Sequence, residues 1–204
     1  MIPLDLLYKK SHSAGAVGKI WEQLHAEFSD FISSFEVKRV LEIGAGHGIL
    51  AQRFVNAHPE AQYYIVEPNL PVWSHERVTF YRGIFDASFA IDPVVDAVVH
   101  SHTLEHVYEP REFLGNVARF LQEGQWHMFS VPRLEPWLDR GYSNALHFEH
   151  TLYLTEANIG YLMKSSGLEV VCKTYFRQDH SVFYATRKRF SVVDTAVVLS
   201  LTQQ

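Results

Sequence analysis

The chain has 204 residues, 47% of them hydrophobic and 20% charged, an ordinary globular composition that excludes a disordered or low-complexity chain. With 18 Lys and Arg against 23 Asp and Glu the net charge is −5, which argues against nucleic acid, whose phosphates call for a basic surface. No apolar run reaches the ~20 residues that cross a bilayer, so no membrane partner is expected. The lone Cys172 excludes an internal disulfide and points to a reducing, cytoplasmic setting.

Val17, Ile20, Trp21, Leu24, Phe28, Phe31, Ile32 and Phe35 recur at helical spacing and predict one amphipathic helix. Val37-Lys38-Arg39-Val40-Leu41-Glu42-Ile43 is a continuous run that enters a glycine cluster, as a buried parallel strand does. A helix over 47–56 follows and Pro59 ends it. Strands are expected at 63–66, 77–82 and 94–99. Pro110 opens a helix carrying Phe113, Leu114, Val117, Phe120 and Leu121. A fifth strand spans 126–131, and 133–154 reads as a long irregular stretch of the kind that carries function. A helix runs from Thr155-Glu156 to Ser166, with Gly167 at its C-terminus. Two strands, 168–176 and 181–186, close the domain as a hairpin. The alternation predicts an α/β, Rossmann-like, doubly wound seven-stranded sheet with an antiparallel C-terminal edge. Residues 188–204 are an apolar tail, for which a homodimer contact is one expectation.

The most informative segment is Glu42-Ile43-Gly44-Ala45-Gly46-His47-Gly48, between the first strand and the helix after it. Glycines at this switch point let the backbone approach a ligand closely. A dinucleotide fingerprint needs Gly-x-Gly-x-x-Gly, and here Gly48 comes one residue early. Glu42 would repel a pyrophosphate but suits an ammonium group. Glu67, about 20 residues on, is placed to hold ribose hydroxyls. A ligand with a ribose, an amino group and no phosphates fits this set.

These segments resemble the class I S-adenosylmethionine-dependent methyltransferases from residue 37 to about 187. Residues 40–48 look like their first motif, Tyr64 to Asn69 like the acidic second, Arg82-Gly83-Ile84-Phe85-Asp86 like the adenine-side segment, and residues 96–107 like the post-strand motif. The resemblance implies S-adenosyl-L-methionine as cofactor. Glu42, Gly44, Ala45, Gly46 and Gly48 would lie around its methionine part. Glu67, Pro68 and Asn69 would hold the ribose, and Gly83, Ile84 and Phe85 would border the adenine. His100, Ser101 and His102 would line the post-strand side.

Catalysis of methyl transfer needs alignment, and a base where the acceptor must lose a proton. Histidines cluster in two places, His100, His102 and His106 after the fourth strand, and His147 and His150 beside Glu149 in the long loop. The segments 104–107 and 147–155 are similar to those of C-methyltransferases acting on nucleotide-linked keto-sugars, as is Tyr8-Lys9-Lys10-Ser11-His12-Ser13. The resemblance implies a small activated sugar as acceptor and His150 as the base, with Glu149, His106 and Tyr8 around the same pocket. Residues 1–36 would cover that pocket. That family's cysteine-rich zinc module and C-terminal domain have no counterpart in these 204 residues, and related O-methyltransferases share much of the pattern. No resident metal is expected, although His102 and His106 would stand at zinc-ligand spacing on a helix.

Overall fold

The computed structural model describes residues 18–142 and 150–189. The first helix, α1 (Lys19–Ser33), buries Leu24, Phe28 and Ile32, the stripe that its sequence spacing predicts. Strand β1 (Arg39–Ile43) ends at the glycine cluster, which turns the chain into α2 (Ile49–Ala57). Strands β2 (Gln62–Glu67), β3 (Val78–Arg82) and β4 (Ala97–Ser101) follow. A 3-10 turn, Leu104–His106, precedes α3 (Pro110–Phe120), which opens on its proline. Then come β5 (Trp126–Pro132), α4 (Leu134–Asp139), α5 (Glu156–Ser165) and the hairpin β6 (Leu168–Phe176) and β7 (Ser181–Lys188).

The seven strands lie in the order β3-β2-β1-β4-β5-β7-β6, with β7 antiparallel to both its neighbours and the remaining pairs parallel. Two cores result, one on each face of the sheet. Leu24, Phe28 and Ile32 of α1 meet Leu50, Phe54 and Val55 of α2 over Val40, Tyr63, Ile65 and Val99. On the other face Phe113, Leu114 and Val117 of α3 and Ile159, Leu162 and Met163 of α5 close over Leu41, Val66, Val98 and Phe129. This is the doubly wound architecture, and its ligand crevice lies beyond the C-terminal ends of the parallel strands.

Four local readings are corrected. β4 starts at Ala97 rather than residue 94, and β7 runs on to Lys188. The stretch after β5 holds a one-and-a-half-turn helix, α4, whose Leu134 is buried. His102 takes a left-handed conformation (φ 49°), so the chain turns there and His102 and His106 do not share a helix. Tyr8, Glu149, His147 and residues 190–204 lie outside the described residues.

Candidate functional site

The glycine loop is built from backbone that only glycine adopts readily. Gly44, Gly46 and Gly48 have φ of 72°, 53° and 69°. The N–H of Gly44 donates to the Val66 carbonyl (3.0 Å) and that of Gly48 to Ala45 (2.8 Å), which ties the loop to β2 and to itself. A Cβ at Gly44 would stand 3.0 Å from the Thr103 side chain, and one at Gly48 would stand 2.6 Å from the Trp73 indole. Gly46 faces open space. It borders a cleft of about 310 Å³ lined by Gly46, His47, Asn69, Leu70, Pro71, Val72 and Arg82. The Trp73 Nε1–H donates to the His47 carbonyl (2.8 Å), latching the loop after β2 onto the glycine loop.

Glu67 sits at the C-terminal end of β2, largely buried. One carboxylate oxygen accepts from the Gly46 N–H (3.2 Å) and the other from the Asn69 N–H (2.9 Å). Burial raises its pKa, and the two N–H bonds and His47 offset only part of that rise. Glu42 is buried beneath the loop. Burial pushes its carboxyl up to about 8; the nearby Tyr63 hydroxyl pulls it down and the Glu67 charge adds to the rise. Glu42 Oε2 and the Tyr63 hydroxyl are buried atoms with no hydrogen-bond partner among the described residues. An orphaned buried carboxyl oxygen at this point can receive a ligand cation. Pro68 accepts a bond from Arg82 (3.1 Å), and Gly83 donates to the Glu67 carbonyl (3.3 Å).

The other predicted contacts divide. Ile84 is exposed and free to border a ligand, whereas Phe85 is placed in the core against Phe89, Phe113 and Phe120. His100 is fully buried. Its Nε2 is 3.0 Å from His127 Nε2, and its ring stacks on Phe129. Ser101 bonds Ser130 across the β4–β5 pair (2.8 Å). His102 bonds Ser181 (2.9 Å) and packs edge-on against Trp21 of α1, with ring centres 4.9 Å apart. Sequence reasoning singled out none of Leu70, Val72 and Trp73, which stand at or beside the cleft and the glycine loop.

The second set of groups lies past β4. The 3-10 turn places Glu105 and His106 side by side, and the Glu105 carbonyl accepts from the N–H of both Thr151 (2.9 Å) and Leu152 (3.0 Å). That clamp brings His150 to His106, whose rings meet edge to face at 5.0 Å. Ligand atoms of Glu105, His106 and His150 lie within 4.8 Å of one another. Burial alone would raise Glu105. The His102 ring beside it and the charges of His102 and His106 outweigh that and hold its carboxyl below the usual range. His102 Nδ1 is 3.0 Å from Glu105 Oε1, an ion-pair approach outside hydrogen-bond geometry. A cavity of about 20 Å³, lined among others by Glu105, His150, Leu152 and Tyr153, adjoins the cluster.

A methyltransferase-domain family matches residues 17–173. The chain belongs to that family, and its fold and glycine loop are those of an S-adenosylmethionine-dependent methyltransferase domain. Solved structures agree on the fold. The chain overlays the 1,6-didemethyltoxoflavin-N1-methyltransferase of Burkholderia thailandensis, solved with S-adenosylhomocysteine, at TM-score 0.70 and 17% identity, covering 92% of this chain and 88% of that one. It overlays the mitomycin 7-O-methyltransferase MmcR at TM-score 0.64 and 14% identity over 80% of this chain. A Haloferax volcanii methyltransferase, solved with the Trm112 activator, matches at TM-score 0.71 and 14% identity, covering 91% and 97%. The chain spans 53% of the mitomycin enzyme's length and 58% of that of an O-methyltransferase family protein from Burkholderia thailandensis. No curated protein sequence matches it. S-adenosylmethionine is the cofactor, and the residues fit it, with an open Gly46, a carboxylate at the end of β2 and an unpartnered Glu42 oxygen beneath the loop.

Proposed function

We propose that this domain methylates a small molecule, a nucleotide-linked or otherwise activated sugar, with His150 as the general base. The observation that carries the base is the clamp of the 150–152 segment onto the Glu105 carbonyl, which fixes His150 beside His106 at the C-terminal edge of the sheet. Bound S-adenosylmethionine supplies an electrophilic methyl group. The chain's residues do the rest. Glu67 and the Gly46 and Asn69 amides orient the ribose, and the Glu42 carboxyl receives the ammonium group. His150 takes a proton from the carbon alpha to a ketone, and the electron pair left behind makes that carbon a nucleophile. By the same resemblance Glu149, His106 and Tyr8 are proposed as further acceptor contacts. The sugar class is supported by the likeness of residues 147–155 to keto-sugar C-methyltransferases.

The test is His150→Ala. Turnover on a panel of keto-sugar nucleotides should fall at least ~100-fold, the usual scale of a lost general base. Affinity for S-adenosylhomocysteine should stay within twofold. Full activity in the variant removes His150 from the reaction. Two neighbours favour a second reading, O- or N-methylation of another metabolite, since they are named for a mitomycin oxygen and a toxoflavin nitrogen. Turnover of phenols or ring nitrogens with no activity on keto-sugars would select it. The Trm112 complex of the Haloferax neighbour favours a third, a domain that works with a partner subunit. That reading predicts cofactor binding without turnover by the isolated chain, and light scattering on the isolated chain would test for a homodimer.

A further inference from the structure

We infer that Glu105, His106 and His150 form a binding site for a divalent transition-metal ion, and that zinc is the ion it takes. One ligand atom from each lies within 4.8 Å of the other two. Ligands about 2.0–2.1 Å from a tetrahedral zinc stand ~3.3 Å apart, so the atoms need to draw in by no more than ~1.5 Å, a matter of side-chain rotation. The donor set is one carboxylate and two imidazoles. Three protein ligands of this kind leave a fourth position open, and nitrogen donors select zinc over magnesium, which prefers oxygen.

Two independent observations point to a ligand here. Glu105 is 2% exposed; its Oε1 meets only the His102 ring at 3.0 Å, and its Oε2 has no hydrogen-bond partner among the described residues. A buried carboxylate with one oxygen left unpaired can take a cation on that oxygen. The adjoining cavity, about 20 Å³ and lined by Glu105 and His150, is the size of one water or one ion. The frame is also in place. The Glu105 carbonyl holds the backbone just after His150 through Thr151 and Leu152. His102, itself fixed by Ser181, stands 3.0 Å from Glu105 Oε1 and orients the carboxylate, as outer partners of metal ligands do.

Zinc on His150 occupies the ring nitrogen that would take the substrate proton, so the loaded enzyme is inactive. That consequence, unlike the site, rests on His150 being the base. The test is zinc binding by the chelator-stripped full chain in competition with a chromogenic chelator. One equivalent should bind to the unmodified chain. His106→Ala and His150→Ala should each weaken it at least 100-fold, and His75→Ala, in the loop before β3 where its ring bonds only the Arg77 N–H, should leave it unchanged. Cobalt(II) added to the unmodified chain should give the intense visible bands of a tetrahedral site, a readout that needs no variant. Absence of stoichiometric binding, or equal binding by the two variants, overturns the site and leaves the base reading intact. Binding at these residues with undiminished turnover keeps the site and overturns His150 as base.

Discussion

Glu67→Gln removes one negative charge and almost no volume, so its effect reads the chemistry of the carboxylate rather than its packing. The two oxygens accept from two different backbone donors, Gly46 N–H at 3.2 Å and Asn69 N–H at 2.9 Å. An amide has only one oxygen, so its NH₂ must face one of those N–H groups, and a donor then meets a donor. The unpaired backbone group costs ~1–3 kcal/mol of stability. In the complex, a carboxylate that accepts both ribose hydroxyls is replaced by a group that accepts one. A hydrogen bond to a charged partner is worth ~1.5–3 kcal/mol, so affinity should fall about 10- to 100-fold. Calorimetric titration with S-adenosylhomocysteine measures this, with a melting curve to establish that the variant is folded. A folded variant binding within twofold of the unmodified chain would refute the assignment of Glu67 to the ribose.

The remaining predictions concern loop, core and pH. Gly48→Ala places a methyl 2.6 Å from the Trp73 ring carbon in left-handed backbone, so it should lose ~1–2 kcal/mol from conformation alone and weaken cofactor binding as the indole is displaced; unchanged binding by calorimetry would contradict the latch. Phe28→Ala empties a site wholly buried against Phe183, and should cost ~3–5 kcal/mol in urea unfolding, with a loss under ~1 kcal/mol counting against α1 as part of the core. Burial holds His127 at about 3 and His100 well below its ordinary 6.5, so as pH falls from 6.5 toward 3 the unfolded chain takes up protons the native core refuses, and stability drops by up to ~1.4 kcal/mol per pH unit for each. Burial holds Glu42 protonated up to about 8, so between 4.5 and 8 stability falls as pH rises, by up to the same slope for one group. The three together place a maximum near pH 6.5 in urea midpoints. Glu42→Gln should flatten the alkaline side, and an unaltered alkaline slope in that variant would show that Glu42 is ionised in the fold.

The fold was legible because its signals are local and repeated. Apolar runs ending in glycine or proline gave the strands, and the stripe from Leu24 to Ile32 gave α1. The glycine loop was legible for a stronger reason, since the positive φ at Gly44, Gly46 and Gly48 is a demand that few other residues meet. His100 was not legible as a core residue. A histidine just past a strand faces the crevice, whereas one inside it follows the alternation, and the strand's end decides which. β4 runs on to Ser101, so His100 lies inside it, shares a face with Val98 and packs on Phe113 and Phe129. Phe85 likewise follows its aromatic neighbours inward. The grouping of Glu105 with His106 and His150 was only half legible, because it depends on hydrogen bonds between residues some 46 apart in sequence. The left-handed turn at His102 carries no sequence signal, and it is what separates His102 from His106.

The contact between Gly48 and Trp73 also says how this sequence can drift. A side chain at position 48 and an indole at position 73 exclude each other at 2.6 Å, while the indole N–H holds the His47 carbonyl of the same loop. Either change alone removes something the other residue depends on, so the two positions are not independent. A descendant carrying alanine at 48 should therefore carry a smaller residue at 73, and the paired replacement should cost less than its two halves together. Positions 25 apart in the chain, in direct contact across the glycine loop, are in this sense inherited as one character.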